Sequence, residues 1–130
     1  REMSMELPVP GILESPFGVF ESKIFSYKKQ KIEEKKYTKW FDYDKIKNSP
    51  CVRTRRQGDY LTVNSEGGRK KLNRIFIDEK IPAEMRDRLP VVAVGSEILW
   101  IPGGRMNEKY KITSTTGRVL ELHYQGGALA

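Results

Sequence analysis

Apolar and polar positions change rhythm several times along this chain, and each change marks an element. Leu7 to Leu13 is a short apolar run interrupted by Pro8, Pro10 and Gly11. Proline cannot donate to a strand ladder, so the run suits an edge strand or a turn entry. From Phe17 to Tyr27 apolar and aromatic side chains are dense and partly alternating, which predicts a strand. The KKQKIEEKK segment has almost nothing to bury and predicts a mobile hairpin loop, after which Tyr37 to Tyr43 resumes a strand. Asp42 and Asp44 can cap a helical turn through Ile46, and Asn48-Ser49-Pro50 ends it.

The period-two pattern returns at Cys51 to Arg56, with Cys51, Arg53 and Arg55 on one side and Val52, Thr54 and Arg56 on the other. Gln57-Gly58-Asp59 reads as a turn, because glycine supplies positive φ and aspartate bonds its own backbone. Gly67-Gly68 opens a predicted helix over about 69–76. There Leu72, Ile75 and Phe76 form an i, i+3, i+4 stripe, and ~100° per residue puts Lys70, Lys71 and Arg74 on the opposite face. Pro82 suits the first turn of a second short helix through about Arg88, where its missing N–H costs nothing.

Val91 to Val94, the Gly95-Ser96 turn and Glu97 to Ile101 predict a hairpin. Its consecutive apolar positions imply cover on both faces, with Trp100 in the core. After Pro102-Gly103-Gly104, closing strands are expected at Tyr110 to Ile112 and Arg118 to Tyr124, and the tail QGGALA is expected to be disordered. The predicted fold is α+β: a small mixed or antiparallel sheet with two short helices, preceded by a β-rich N-terminal unit. The expected units are 1–49, 50–124 and the tail 125–130.

Charge sharpens this outline. The chain carries 24 Lys and Arg against 17 Asp and Glu, for a net +7. Cys51 to Arg74 alone holds seven Lys or Arg against Asp59 and Glu66, hence +5 of that excess. Such clustering is the footprint of a surface that meets phosphates, with nucleic acid the leading partner and an acidic membrane surface second. Cys51 and His123 are the sole residues of their types, which rules out a disulfide, a Cys/His zinc site or a Cys–His nucleophile pair within one copy. Both are read as plain strand residues. No apolar run approaches the ~20 residues that span a bilayer, and no secretory segment opens the chain. A cytoplasmic protein without membrane contact is expected. Beginning at Arg1 and passing almost at once into LPVPGI, the chain reads as part of a longer protein.

Catalytic signatures are missing: there is no GxxxxGK[ST], SGGxDS-type loop, GxSxG or HExxH. No catalytic or metal-binding residue is assigned. Gly67-Gly68-Arg69-Lys70 at a helix start could cradle one phosphate. Asp78, Glu79, Glu84 and Asp87 alternate with Lys80, Arg86 and Arg88 and read as solvated salt bridges. One of Arg53 and Arg55 is expected to pair with Asp59 through a fork of two N–H donors. The remaining cations are candidate phosphate contacts, each adding roughly −0.9 to the salt slope on a duplex.

The spelling RTRRQGD, GGRKKLNRIFIDEKIP, RDRLP, EILWIPGGR, YKIT and a terminal VLEL strand resembles the C-terminal domain of the tRNA(Ile)-lysidine synthetase family. The resemblance covers about Val52 to Leu122, and LPVPG and YTKWFDYDKI resemble the lead-in of some bacterial members. It implies a parent enzyme that uses ATP and Mg2+ to adenylate the wobble cytidine of a minor isoleucine tRNA. Lysine then displaces AMP. That chemistry belongs to an N-terminal PP-loop domain, and the C-terminal domain would hold the tRNA, notably its acceptor stem.

Carried onto this chain, the turn motif falls on Arg53, Arg55, Arg56, Gly58 and Asp59, with Gln57 where the family usually has proline. The helix motif falls on Lys70, Lys71, Leu72 and Phe76. Asp78, Lys80, Ile81, Pro82, Arg86, Asp87, Trp100 and Arg105 follow. The expected RNA-binding set is Arg53, Arg55, Arg56, Arg69, Lys70, Lys71, Arg74, Lys80 and Arg105. Expected partners are tRNA(Ile) and the parent's catalytic domain, with homodimerisation open and no cofactor in this chain. The rival reading is a protein interaction or dimerisation domain whose basic face is incidental.

Overall fold

The computed structural model describes residues 3–126. Two sheets face each other, and a helix covers the outer side of one. Ten strands occur in the order β1 (Ser4–Glu6), β2 (Gly11–Ser15), β3 (Gly18–Ser26), β4 (Thr38–Asp42), β5 (Cys51–Arg53), β6 (Tyr60–Thr62), β7 (Arg69–Lys71), β8 (Val91–Val94), β9 (Glu97–Trp100) and β10 (Arg118–Gly126). Helices α1 (Leu72–Asp78) and α2 (Ala83–Arg86) lie between β7 and β8. The larger sheet runs β1-β5-β8-β9-β6-β7, antiparallel except where Tyr60 of β6 pairs with Glu97 of β9 in parallel. The smaller is an antiparallel sheet, β2-β3-β10-β4. The expected α+β class with two short helices holds.

Core formation explains the layers. Phe20 of β3, Phe41 of β4 and Leu120, Leu122 and Tyr124 of β10 face Val52, Val92, Leu99 and Trp100 of the larger sheet. On that sheet's other side Leu61, Val91, Ala93 and Ile98 pack against Leu72, Ile75 and Phe76 of α1. The β8–β9 hairpin is therefore buried on both faces, as its unbroken apolar spelling predicts. A bulge between Val92 and Ala93 shifts the register, so that Val92 pairs with Trp100 and Ala93 with Ile98. The extra residue lets Leu99 and Trp100, neighbours in sequence, join the same core.

Several expectations are corrected. Leu7 to Leu13 is not among them, since Pro8 and the cis Val9–Pro10 bond lie in the turn that enters β2, an edge strand. The lysine-rich segment is no hairpin loop, because β3 and β4 flank β10 on opposite sides and do not pair with each other. Tyr110 ends a 3-10 turn, Glu108–Tyr110, where a strand is expected; the Asn107 side chain caps it by accepting from the Lys109 N–H at 2.9 Å. Gln125 and Gly126 belong to β10 and not to a tail, while 127–130 lie outside the described residues. The division at 49/50 is not a spatial one: β1 pairs with β5, and β10 lies between β3 and β4.

Candidate nucleic-acid interface

The cationic segment is built on β5, β6, β7 and α1, and its first arginine turns inward. Arg53 is wholly buried. Its two Nη groups donate to Asp59 Oδ1 and Oδ2, each at 2.8 Å, and also to the Thr54 and Gly95 carbonyls at 3.0 and 2.8 Å. Arg53 is thus removed from the expected RNA-binding set: a guanidinium with no solvent exposure and all its Nη capacity used cannot meet a phosphate. Asp59 Oδ2 also accepts the Arg56 N–H at 2.7 Å, and Gly58 adopts φ +92, so the bend carrying Arg55 and Arg56 is pinned from inside.

The next correction concerns the glycine pair. Helix α1 starts at Leu72; Arg69 to Lys71 form β7, paired with β6 as Thr62↔Arg69, Leu61↔Lys70 and Tyr60↔Lys71. Gly67-Gly68 therefore closes the β6–β7 turn and cradles no phosphate at a helix start. Asn64 Oδ1 fills that turn, accepting the N–H groups of Glu66 at 3.0 Å and Gly68 at 2.9 Å. A Cβ on Gly68 would stand 2.5 Å from Asn64 Nδ2, so a larger residue there would displace the Asn64 side chain.

Strand alternation then sorts the cations. Lys70 shares its face with Leu61, the face covered by α1, and forms an ion pair with Asp78 there. That ammonium, hydrogen-bonded to the carboxylate, holds Asp78 below the ordinary carboxylate range. Arg74 Nη1 approaches the same carboxylate at 3.8 Å. Arg69 and Lys71 leave by the other face and are exposed. The Arg69 guanidinium lies 4.6 Å from the Tyr60 ring centroid, a diagonal cross-strand contact that orients it. Arg55 is tied to α1 and to the segment after α2, with Nε 2.8 Å from Asp87 Oδ1 and Nη1 2.9 Å from Asn73 Oδ1. Lys80 ends α1 at φ +58, its N–H donating to Ile77 O, while the Ile81 N–H reaches Phe76 O. Arg105 is half-buried and touches Val63 O at 3.3 Å, beside the turn that leads into Arg69.

A basic strip thus wraps the edge of the larger sheet: Arg69 and Lys71 stand on one face of β7, while Lys70 and Arg74 share the Asp78 carboxylate on the α1 side. Arg56, Arg69, Lys71, Arg74 and Lys80 are exposed, and Arg105 is half-buried. Among the described residues neither Lys71 nor Lys80 forms an ion pair. Tyr60 and Asn73, which orient the strip, went unrecognised in the sequence. Their only signal there is spacing along strands whose pairing is non-local. Asp78 and Asp87, with side chains 41% and 77% exposed, do form solvent-exposed salt bridges, but with Lys70, Arg74 and Arg55 in place of the expected Lys80, Arg86 and Arg88.

The chain is thus a two-sheet domain with a basic edge strand and one packed short helix. Residues 51–122 match the TilS substrate C-terminal domain. The chain is 50% identical over 88 residues to a tRNA(Ile)-lysidine synthase of Caldanaerobacter subterraneus, covering 68% of this chain and 19% of that protein. It is 37% identical over 123 residues to the Geobacillus kaustophilus tRNA(Ile)-lysidine synthase, covering 92% and 26%. A solved structure described as the crystal structure of the TILS C-terminal domain superposes with a TM-score of 0.80 at 33% identity, covering 97% of this chain and 98% of that one. The chain belongs to the family of tRNA(Ile)-lysidine synthase C-terminal domains. It spans about a fifth to a quarter of the length of these curated relatives.

Proposed function

We propose that this domain holds the tRNA substrate of a lysidine-forming ligase through phosphate contacts along the β7–α1 strip, and performs no chemistry itself. The observation that carries the reading is the pair of same-face cations on a sheet edge, Arg69 and Lys71, with Arg74 exposed on α1, the helix that directly follows. Their backbone is held by the β6 ladder and the apolar stripe of α1, so the charges are fixed before RNA arrives. An RNA helix read mainly by shape and backbone needs such a fixed row and little base readout. Cys51 and His123 stand on different sheets, and His123 Nδ1 is engaged by Thr38 Oγ1 at 2.7 Å. ATP, Mg2+ and the nucleotide chemistry then belong to the parent's catalytic domain. Among the described residues no group of three or more His, Cys, Asp or Glu could hold a metal ion, and no helix is long and apolar enough to cross a membrane.

Salt titration tests this directly. A tRNA transcript should bind the chain with a logarithmic salt slope that shrinks by about 2 to 3 when Arg69, Lys71 and Arg74 all become Glu, since each duplex phosphate contact contributes roughly 0.9. The melting temperature should change little, because all three side chains are exposed. An unchanged affinity for tRNA refutes the assignment, and a protein-dimer contact in its place would leave the slope near zero. ATP turnover by this chain alone would refute the non-catalytic role.

A further inference from the structure

Where the smaller sheet meets the segment after α2, an open cavity of about 560 Å³ lies between the β10 end and residues 85–90. Its floor is apolar and aromatic. Tyr124 is buried, its hydroxyl donating to Phe17 O at 2.6 Å, and Phe17 is buried beside it. Tyr37 is 44% exposed, its ring centroid 6.2 Å from that of Tyr124. Gly103 permits this placement, for a Cβ there would stand 2.9 Å from Tyr37 Cε1. Met85 lines one wall, and Arg88 and His123 are exposed basic groups of the lining; none of the lining residues is acidic. His123 is oriented through Nδ1 by Thr38, which leaves Nε2 as its unengaged ring nitrogen. Arg88 directly follows Asp87, the carboxylate that holds Arg55. The cavity wall therefore stands one residue from the contact that ties Arg55.

We propose that this cavity takes one unpaired nucleotide of the bound RNA, its base stacked on Tyr37 and its phosphate met by Arg88. The inference rests on the RNA-holding role proposed above. A base offers a flat apolar face with polar edges, and an aromatic platform with a neighbouring cation is the arrangement that receives one. Arg88 is the lining's fixed cation and no carboxylate opposes it, and Lys36 Nζ lies 5.4 Å from the Tyr37 ring centroid, which together favour a phosphorylated ligand.

The test uses a blunt RNA duplex and the same duplex carrying a four-nucleotide overhang on the 3′ or the 5′ strand, with binding to the whole chain followed by anisotropy. An overhang should tighten binding by roughly ten- to a hundred-fold, the range one stacked base supplies. Comparing the two overhangs tells which strand end feeds the cavity. Tyr37→Ala should abolish the gain and leave blunt-duplex affinity unchanged, Tyr37→Phe should keep it, and Arg88→Ala should reduce it. Equal binding of blunt and overhanging duplexes overturns this inference alone, as does an equal loss for both in Tyr37→Ala. Failure of every RNA to bind overturns the RNA-holding role with it. Because Tyr37 and Arg88 are exposed, an unchanged melting temperature is expected and separates lost binding from lost fold.

Discussion

Two oxygens of Asp59 hold three donors, the paired Nη groups of Arg53 and the N–H of Arg56. The side chains of this pair are 0% and 1% exposed, so either charge left alone would be stranded in the core. Arg53→Met or Asp59→Leu should each cost about 3–5 kcal/mol in urea unfolding, whereas the double replacement should cost far less than the sum, because no unpaired charge remains. The sequence reading paired Asp59 with Arg53 or Arg55 and could not choose. Alternation puts Arg53 and Arg55 on the same side and so does not choose between them; the strand stops at Arg53, and the packed β8–β9 hairpin, whose Gly95 carbonyl accepts from Arg53, decides. Tyr110 makes a second residue-scale case. Burial, and then its hydrogen bond to the Glu97 carboxylate, push its phenol pKa well above the ordinary 10. A folded pKa above the unfolded one gives stability that is intact below pH 10 and declines as pH rises past it. Burial raises Tyr124 in the same direction. Tyr110→Phe should therefore make the alkaline fall of the urea midpoint shallower without flattening it, and an unchanged pH profile would refute the linkage.

At the scale of elements, β7 and α1 show what periodicity can and cannot read. The stripe Leu72, Ile75 and Phe76 was legible because the i, i+3, i+4 spacing is local, and all three residues are buried. Leu72→Ala should cost about 2–5 kcal/mol and Phe76→Ala about 3–5, measured by thermal or urea unfolding. The preceding Arg-Lys-Lys has no apolar position to phase it. It is a strand solely because Tyr60 to Thr62 pairs with it, and a Gly-Gly before basic residues looks like a helix start until that partner is known. The misplaced boundary matters for function. A helix would aim Lys70 and Lys71 the same way, whereas a strand sends Lys70 to Asp78 and Lys71 to solvent. Asp78 stays ionised at neutral pH beside Lys70, so it is a fixed restraint on the strip's charge. Asp78→Asn should release Lys70 and Arg74, tighten tRNA binding and steepen the salt slope by about one. Weaker binding in that variant would mean that Asp78 positions the cations and does not compete for them.

For the molecule as a whole, the decisive fact is that the chain returns across its own midpoint. The residues that match the family, 51–122, read as a self-contained unit, and a cut near 49/50 looks natural where Asn48-Ser49-Pro50 breaks the pattern. Space divides the chain otherwise. β10, from the far end, lies between β3 and β4 and pairs with each, and β1 extends the larger sheet beside β5. The core between the sheets draws Leu7, Phe17, Phe20 and Phe41 from before the cut, and Val52, Val92, Leu99, Trp100, Leu120 and Leu122 from after it. No local signal announces such pairings, since each β3–β10 partner stands about a hundred positions away at the strand ends. A fragment of residues 50–126 would keep α1 and the basic strip but lose both neighbours of β10 and, apart from β10 itself, the smaller sheet's wall of that core. Unpaired strand edges and an uncovered apolar face are what a small domain cannot sustain. The whole chain should unfold in one transition, with tryptophan fluorescence and far-ultraviolet circular dichroism coinciding. The fragment should show no cooperative transition and should bind a hydrophobic dye. Its tRNA affinity should fall with its structure, although every cation of the strip is present, because those charges are held in place by the sheet that needs β1 beside it and β2 to β4 behind it. A fragment that unfolds cooperatively and binds tRNA as tightly as the whole chain would show that the smaller sheet is dispensable to the strip.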